Sequence, residues 1–97
     1  MWLVILEGEL AIRDIETMSA TSDAVMDALI DLGAEDPNTS ANARTGHFEV
    51  EVTVIGGAEA EALSEGMRII LTALQSAGVV QEGVRAPSVR TAEPVPA

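Results

Sequence analysis

The chain contains no cysteine, and its only basic side chains are five arginines and one histidine. Without cysteine, disulfides, thiolate metal sites and cysteine nucleophiles are excluded, and a reducing compartment is compatible with the composition. The net charge of -11 is the opposite of the basic footprint that nucleic-acid binding needs, and it also disfavours anionic membrane surfaces. A cationic ligand or a basic protein partner remains electrostatically favourable.

Long hydrophobic runs are also missing. The apolar start of the chain ends at Glu7 and lacks a basic n-region, so it does not have the pattern of a signal peptide. No segment approaches the length of a transmembrane helix. We therefore expect a soluble, cytoplasmic protein that has no membrane partner.

The length and composition indicate a single folded unit. Ninety-seven residues fit one domain, and an apolar fraction of 47% is normal for a globular protein that folds without disulfides or a structural metal. From Ala86 onward, three prolines and small residues indicate an extended tail. We predict one domain over residues 1–85 and a flexible, proline-containing tail over residues 86–97.

Four segments have the alternation of β-strands, and two of them are strong. Trp2–Ile12 carries apolar residues on both faces at its start, which indicates a central strand. His47–Ile55 alternates strictly, with phenylalanine and valines on one face. Its opposite face consists of His47, Glu49, Glu51 and Thr53. The weaker segments, Ala34–Thr45 and Val79–Arg85, suit the edges of a sheet.

Two further segments have helical periodicity. The first helix is predicted within Met18–Leu32, with Gly33 at its C-terminal cap. Three residues compete for its N-cap: Ser19, Thr21 and Ser22. The second helix follows Gly56-Gly57 and ends at Gly78. One of its stripes is mostly small and contains Gly66, which indicates that this helix closely approaches its neighbour.

The order of these segments is strand, helix, weak strand, strong strand, helix, strand. This is the split βαβ pattern of the ferredoxin-like fold. We therefore predict an α+β sandwich of βαββαβ order, with a four-stranded antiparallel-type sheet (order 4-1-3-2) and both helices on one face. We expect the first and third strands to be central neighbours that run parallel to each other. The resemblance is to a fold and not to a family, and many functions use this fold.

Catalytic and phosphate-binding patterns find little support in the chain. No Gly-x-Ser-x-Gly elbow is present, so a Ser-His-acid triad would depend on His47, the only histidine. Gly56-Gly57 precede a helix, but no dinucleotide or Walker pattern follows, and Glu59 and Glu61 would repel a phosphate. We therefore predict no catalytic residue, no cofactor and no dedicated metal site.

The most specific constellation comes from the predicted adjacency of the two strong strands. It brings seven residues to the sheet face that the helices leave open, which is the predicted interaction face: Leu3, Ile5, Glu7, Glu9, His47, Glu49 and Glu51. Neighbouring strands lie about 4.8 Å apart, so carboxylates on them repel one another unless they splay into water or meet a cation. Leu3 and Ile5 beside these charges resemble the core and rim of an interface.

A second acidic surface is predicted on the first helix. Asp23, Asp27 and Asp31 form a like-charge ladder at i,i+4 spacing, which weakens the helix slightly. A solvated face and a docking surface for a basic protein are both compatible with this pattern.

The leading hypothesis is a non-enzymatic, acidic protein that acts by binding or self-association through the interaction face. Its partner is then a basic protein or a second copy, and pairing of edge strands is another route to a homodimer. One alternative is a cofactor-free dimeric α+β barrel enzyme, resembling the small monooxygenase-like proteins, with His47 and the glutamates lining a pocket. The other alternative is a weak divalent-cation binder that uses the same glutamates.

Overall fold

The chain folds into an antiparallel sheet covered by two helices, as its α+β pattern predicts. The computed structural model describes residues 2–10, 14–42, 44–79, 81–84 and 88–91. In chain order the elements are β1 (Trp2–Leu10), α1 (Ile15–Asp31), β2 (Glu35–Ala41), β3 (His47–Val54), α2 (Glu59–Ser76), β4 (Gln81–Val84) and β5 (Ser88–Thr91). The α+β class, with an antiparallel sheet and two helices, is thereby confirmed.

β1 lies in the middle of the sheet. From Trp2 to Glu9 it pairs with β3, and β3 pairs on its other side with β2, so that the strand order is β2-β3-β1-β4. The second edge of β1 is shared by β4, which lies beside Gly8–Leu10, and β5, which lies beside Trp2–Ile5. Both edges of β1 therefore have neighbouring strands.

The predicted direction of the two strong strands was wrong. β1 and β3 run antiparallel, with Trp2 opposite Val54 and Glu9 opposite His47. A helical crossover from β1 returns the chain parallel to β1, which fixes the direction of β2. β3 follows β2 through a hairpin, so it must oppose both β2 and β1.

The core lies between the sheet and both helices. It is built from alternate residues of β1 and β3 together with one stripe from each helix. The buried residues of this cluster are Val4, Leu6, Leu10, Met18, Val25, Leu29, Phe48, Val50, Val52, Ile70, Ala73 and Leu74. Both helices contribute to this one cluster, so neither helix covers the opposite face of the sheet. We call that face the open sheet face, and it bears the odd-numbered residues of the two strands.

α1 begins one turn earlier than the sequence predicts, and the predicted N-caps were wrong. Asp14 is the N-cap, and it accepts a hydrogen bond of 2.9 Å from the backbone N–H of Thr17. Thr21 instead lies inside the helix, where its hydroxyl donates to the Thr17 carbonyl, and Ser22 shares a hydrogen bond with Thr39. Ser19 is likewise an internal residue of the helix. The early start allows Met18 to reach the core.

Both helices end in the same way, at a glycine with positive φ. Gly33 and Gly78 have φ of 74° and 67°. The residue after each glycine donates its backbone N–H back into the last turn, Ala34 to Leu29 and Val79 to Leu74. These are the bonds of the Schellman motif, which satisfies carbonyls that a helix end leaves unpaired. Gly33 was predicted as the C-terminal cap itself, but the cap is Leu32 and Gly33 is the residue just beyond it.

α2 packs very closely against β1 at Gly66. A Cβ atom added at Gly66 would lie 2.6 Å from both Cβ and Cγ2 of Val4. Real Cβ atoms do not approach other atoms so closely, so only glycine fits here. The small stripe predicted on this helix therefore does mark a close approach.

Several predicted residues lie outside the described part of the chain. They include Ala11 and Ile12 of the first predicted strand, Val80 and Arg85 of the last, and residues 86–87 and 92–97 of the predicted tail. The division into a domain over 1–85 and a tail stays a prediction.

Candidate binding site on the open sheet face

The open sheet face carries its charged residues in adjacent cross-strand positions. Because side chains of a strand alternate between faces, β1 presents Glu7 and Glu9 on the side opposite Leu6. The antiparallel register then sets Glu7 directly opposite Glu49, and Glu9 directly opposite His47. We call the group Glu7, Glu9, His47, Glu49 and Glu51 the acidic sheet face.

The apolar end of the same face is largely covered. Leu3 lies opposite Thr53, and Ile5 lies opposite Glu51. Ile5 is only 3% exposed and Thr53 is 8% exposed, whereas Leu3 is half-buried. Of the two apolar residues predicted on the interaction face, only Leu3 therefore presents appreciable surface to a partner.

The charged residues keep more contact with solvent. Glu9 is exposed, and the other four members of the acidic sheet face are half-buried. The side chains of His47 and Glu49 are 33% and 31% exposed. Charges in such positions are screened by salt less than fully exposed ones, so they interact more strongly with one another and with ligands.

Three of these residues converge at one end of the face. Nε2 of His47 lies 3.5 Å from Oε1 of Glu49, and they form an ion pair when the imidazole is protonated. One ligand atom from each of Glu7, His47 and Glu49 lies within 4.8 Å of the other two. This trio, the Glu7–His47–Glu49 cluster, consists of residue types that coordinate divalent metal ions.

Two residues of β2 extend the face and were not singled out from the sequence. The register sets Asn38 opposite Glu51, and Ser40 opposite Glu49. Thr39 between them turns to the helix side, where its hydroxyl lies 2.8 Å from that of Ser22. Alternation along the strand places Asn38 and Ser40 on one face and Thr39 on the other. This alternation could be used only once Asn38–Ala41 was known to pair with β3.

The second acidic surface lies on the helix layer, apart from the acidic sheet face. Asp23, Asp27 and Asp31 are all exposed on α1, on the side away from buried Val25 and Leu29. They form one row along a single helix. The acidic sheet face instead combines residues from two paired strands.

Lowered carboxyl pKa values occur on the helices and have local causes. The hydroxyl of Thr17 and then its backbone N–H donate to Asp14 and hold the pKa of this carboxyl below its ordinary value. On α2, hydrogen bonding from Arg68 lowers the pKa of Glu65, and the same interaction raises the pKa of Arg68. Both arrangements stabilise helix structure, so neither marks a site of chemistry.

No model of a known protein family matches the chain, and no curated protein matches it either. Within the described residues, neither helix is both long and apolar enough to cross a membrane.

Proposed function

We propose that this protein is a non-enzymatic binding protein whose acidic sheet face docks a basic segment of another protein. One observation carries the proposal. The β1–β3 register gathers four carboxylates and one imidazole on the sheet face that the helices leave open. A surface of one charge sign on a rigid sheet attracts a ligand of the opposite sign and orients it.

Burial favours a basic partner over a second copy at this face. A face-to-face dimer would bring the acidic sheet faces of two subunits, each with a net charge of -11, against one another. Such a dimer needs apolar surface to offset this repulsion. Ile5 has almost none left to bury, because it is 3% exposed in the single chain. A basic partner gains attraction from the same charges.

Charge geometry also favours the sheet face over the aspartates of α1. Asp23, Asp27 and Asp31 are exposed, so water and salt weaken their attraction for a partner. Glu7, Glu49 and Glu51 are half-buried, and the paired strands limit where their carboxylates can move. We therefore place the docking surface on the sheet and interpret the α1 row as a solvated face.

The enzymatic alternative requires His47 to face a pocket. Two pockets lie between α1 and the sheet, with volumes of ≈ 20 Å³ and ≈ 470 Å³, and His47 is not among the lining residues of either. The smaller pocket holds about one water molecule. His47 lies on the other sheet face, so this alternative needs a pocket on that face, such as one between two subunits.

A ferredoxin-like topology is part of the proposal. We infer a ferredoxin-like domain with the order 4-1-3-2, and the pairing of Gly8–Leu10 with β4 supports it. In such a domain the helices cover one sheet face and leave the other for binding.

A labelled peptide of alternating lysine and valine tests the docking proposal by fluorescence anisotropy. We expect saturable binding that weakens as salt is raised, because screening shortens the range of charge attraction. The double variant Glu49→Gln/Glu51→Gln should weaken binding by about tenfold or more. The reason is that each charge pair lost at a partly buried surface lowers the affinity. The matched control Asp23→Asn/Asp27→Asn removes the same amount of charge from α1 and should change affinity by less than about twofold.

Two results would contradict the proposal. Equal losses in the two double variants would mean that the peptide responds only to net charge. The second result would come from chromatography with light scattering, run on wild type and on Leu3→Arg. A stable dimer that Leu3→Arg dissociates would assign the face to self-association instead.

A further inference from the structure

The Glu7–His47–Glu49 cluster has the composition of a metal site with an open coordination position. We propose that it binds a single divalent transition-metal ion of the zinc class, through one carboxylate oxygen of each glutamate and Nε2 of His47. This inference uses residues of the acidic sheet face, but it does not depend on the docking of a basic partner.

The distances within the cluster suit a tetrahedral ion. Zinc binds nitrogen and oxygen ligands at about 2.0–2.2 Å, so two ligands of one tetrahedral ion lie about 3.4 Å apart. Nε2 of His47 and Oε1 of Glu49 are already 3.5 Å apart. Every pair of ligand atoms in the cluster lies within 4.8 Å, so the Glu7 carboxylate needs to move by little more than about 1 Å.

The sheet arrangement holds two carboxylates of the cluster side by side. Glu7 and Glu49 are directly opposite each other in the β1–β3 register. Like charges in directly opposed cross-strand positions destabilise a sheet. A divalent ion between these two carboxylates would be attracted by both, and the imidazole of His47 lies within ligand distance of both.

The donor set determines which metal is expected. Calcium and magnesium take six or more oxygen ligands, whereas the cluster offers two carboxylates and one imidazole. Imidazole favours zinc and its neighbours in the transition series. Three protein ligands leave the fourth position of a tetrahedral ion to water or to a ligand atom of another molecule. The net charge of -11 also raises the local concentration of cations at the surface.

Calorimetric titration of the full chain with zinc chloride provides the first test. We expect one ion per chain, and we expect magnesium and calcium to bind at least about tenfold more weakly. Amide and imidazole NMR signals should shift first at Glu7, His47 and Glu49. Absence of saturable zinc binding up to about 1 mM, which corresponds to about -4 kcal/mol, would overturn the proposal.

Single substitutions then locate the ligands. His47→Gln and Glu49→Gln should each lower zinc affinity by at least about tenfold, since loss of a ligand must exceed the effect of losing an outer-shell partner. Glu51→Gln removes a carboxylate of the same face outside the cluster and should lower affinity less than Glu49→Gln. Equal losses in all three variants would indicate diffuse attraction of cations and refute a defined site. Far-UV circular dichroism of each variant checks that the fold is retained.

Zinc and the lysine–valine peptide separate this inference from the docking proposal. If both are correct, zinc displaces the peptide, because the two cations compete for Glu49. Zinc binding without peptide binding refutes docking alone. Peptide binding without zinc binding refutes the metal site alone.

Discussion

Replacing Gly66 by alanine tests the closest contact in the fold, where α2 meets β1. In an exposed helix the change would stabilise, because alanine is favoured over glycine by about 1 kcal/mol. Here the added Cβ would lie 2.6 Å from Cβ and Cγ2 of Val4 and 2.7 Å from its Cγ1. Carbon atoms prefer separations of about 3.5–4.0 Å, so α2 and β1 must separate by roughly 1 Å.

The overlap is hard to relieve. Rotating the Val4 side chain moves its methyl groups but leaves Cβ in place, and Val4 is fully buried in the core. Overpacking costs about 1–3 kcal/mol, and we expect the upper part of this range, about 2–3 kcal/mol, because three Val4 atoms overlap at once. After the gain in helix propensity is subtracted, we expect Gly66→Ala to lower the free energy of unfolding by about 1–2 kcal/mol. For a domain of this size, that lowers Tm by about 5–15 °C.

Urea unfolding followed by circular dichroism and by the fluorescence of Trp2 measures the effect. Ser64→Ala is the matched control, because Ser64 lies exposed on the same helix, and it should stabilise the fold by no more than about 0.5 kcal/mol. Val4→Ala removes two of the three overlapping atoms, so a double-mutant cycle should show coupling of about 0.5 kcal/mol or more. A Gly66→Ala variant as stable as wild type would refute the close packing of α2 on β1.

Three further predictions concern the core, the α1 cap and the net charge. Ile70→Ala should cost about 2–5 kcal/mol by thermal or urea unfolding because Ile70 is fully buried, whereas its exposed neighbour Leu71→Ala should cost less than about 1 kcal/mol; similar losses would argue against this orientation of α2. Asp14 has a lowered pKa in the folded chain, so its contribution to stability is complete above about pH 3.8 and is lost as the pH falls through the folded pKa. Asp14→Asn keeps a good N-cap but cannot titrate, so its acid unfolding should be less steep than that of wild type, and identical acid limbs would contradict the Asp14 cap. Raising NaCl from about 0.01 M to about 0.15 M shortens the Debye length from about 30 Å to about 8 Å and should raise Tm through reduced self-repulsion; an unchanged Tm would mean that the acidic groups are well dispersed.

The helix start shows why some features could not be predicted from the sequence. Ser19, Thr21 and Ser22 satisfy the same capping rule as Asp14, because all four have a side-chain oxygen that can accept from a nearby N–H. The choice depends on which start carries Met18 into the core, and this is a property of the packed structure. The caps at the other end were easier to predict, because few residues other than glycine adopt positive φ.

The candidate site was likewise predictable from the sequence only in part. Alternation alone assigned Glu49, Glu51 and His47 to the face opposite Phe48, because the period of two is a local property of any strand. Alternation does not state what covers a residue, so Ile5 was expected at an interface and proves to be almost fully buried within the chain. The convergence of Glu7, His47 and Glu49 also depends on the register between β1 and β3, which the sequence of either strand alone does not specify.

By itself, the sequence determined the α+β class, the inner and outer faces of the strong strands, the glycine-terminated helices and the strongly acidic surface. These follow from periodicity, backbone freedom and charge count, which are set residue by residue. Only the tertiary structure decided the direction of β1 relative to β3 and the contact of Gly66 with Val4. It also decided which acidic residues share a site, because these features depend on how distant segments pair and pack.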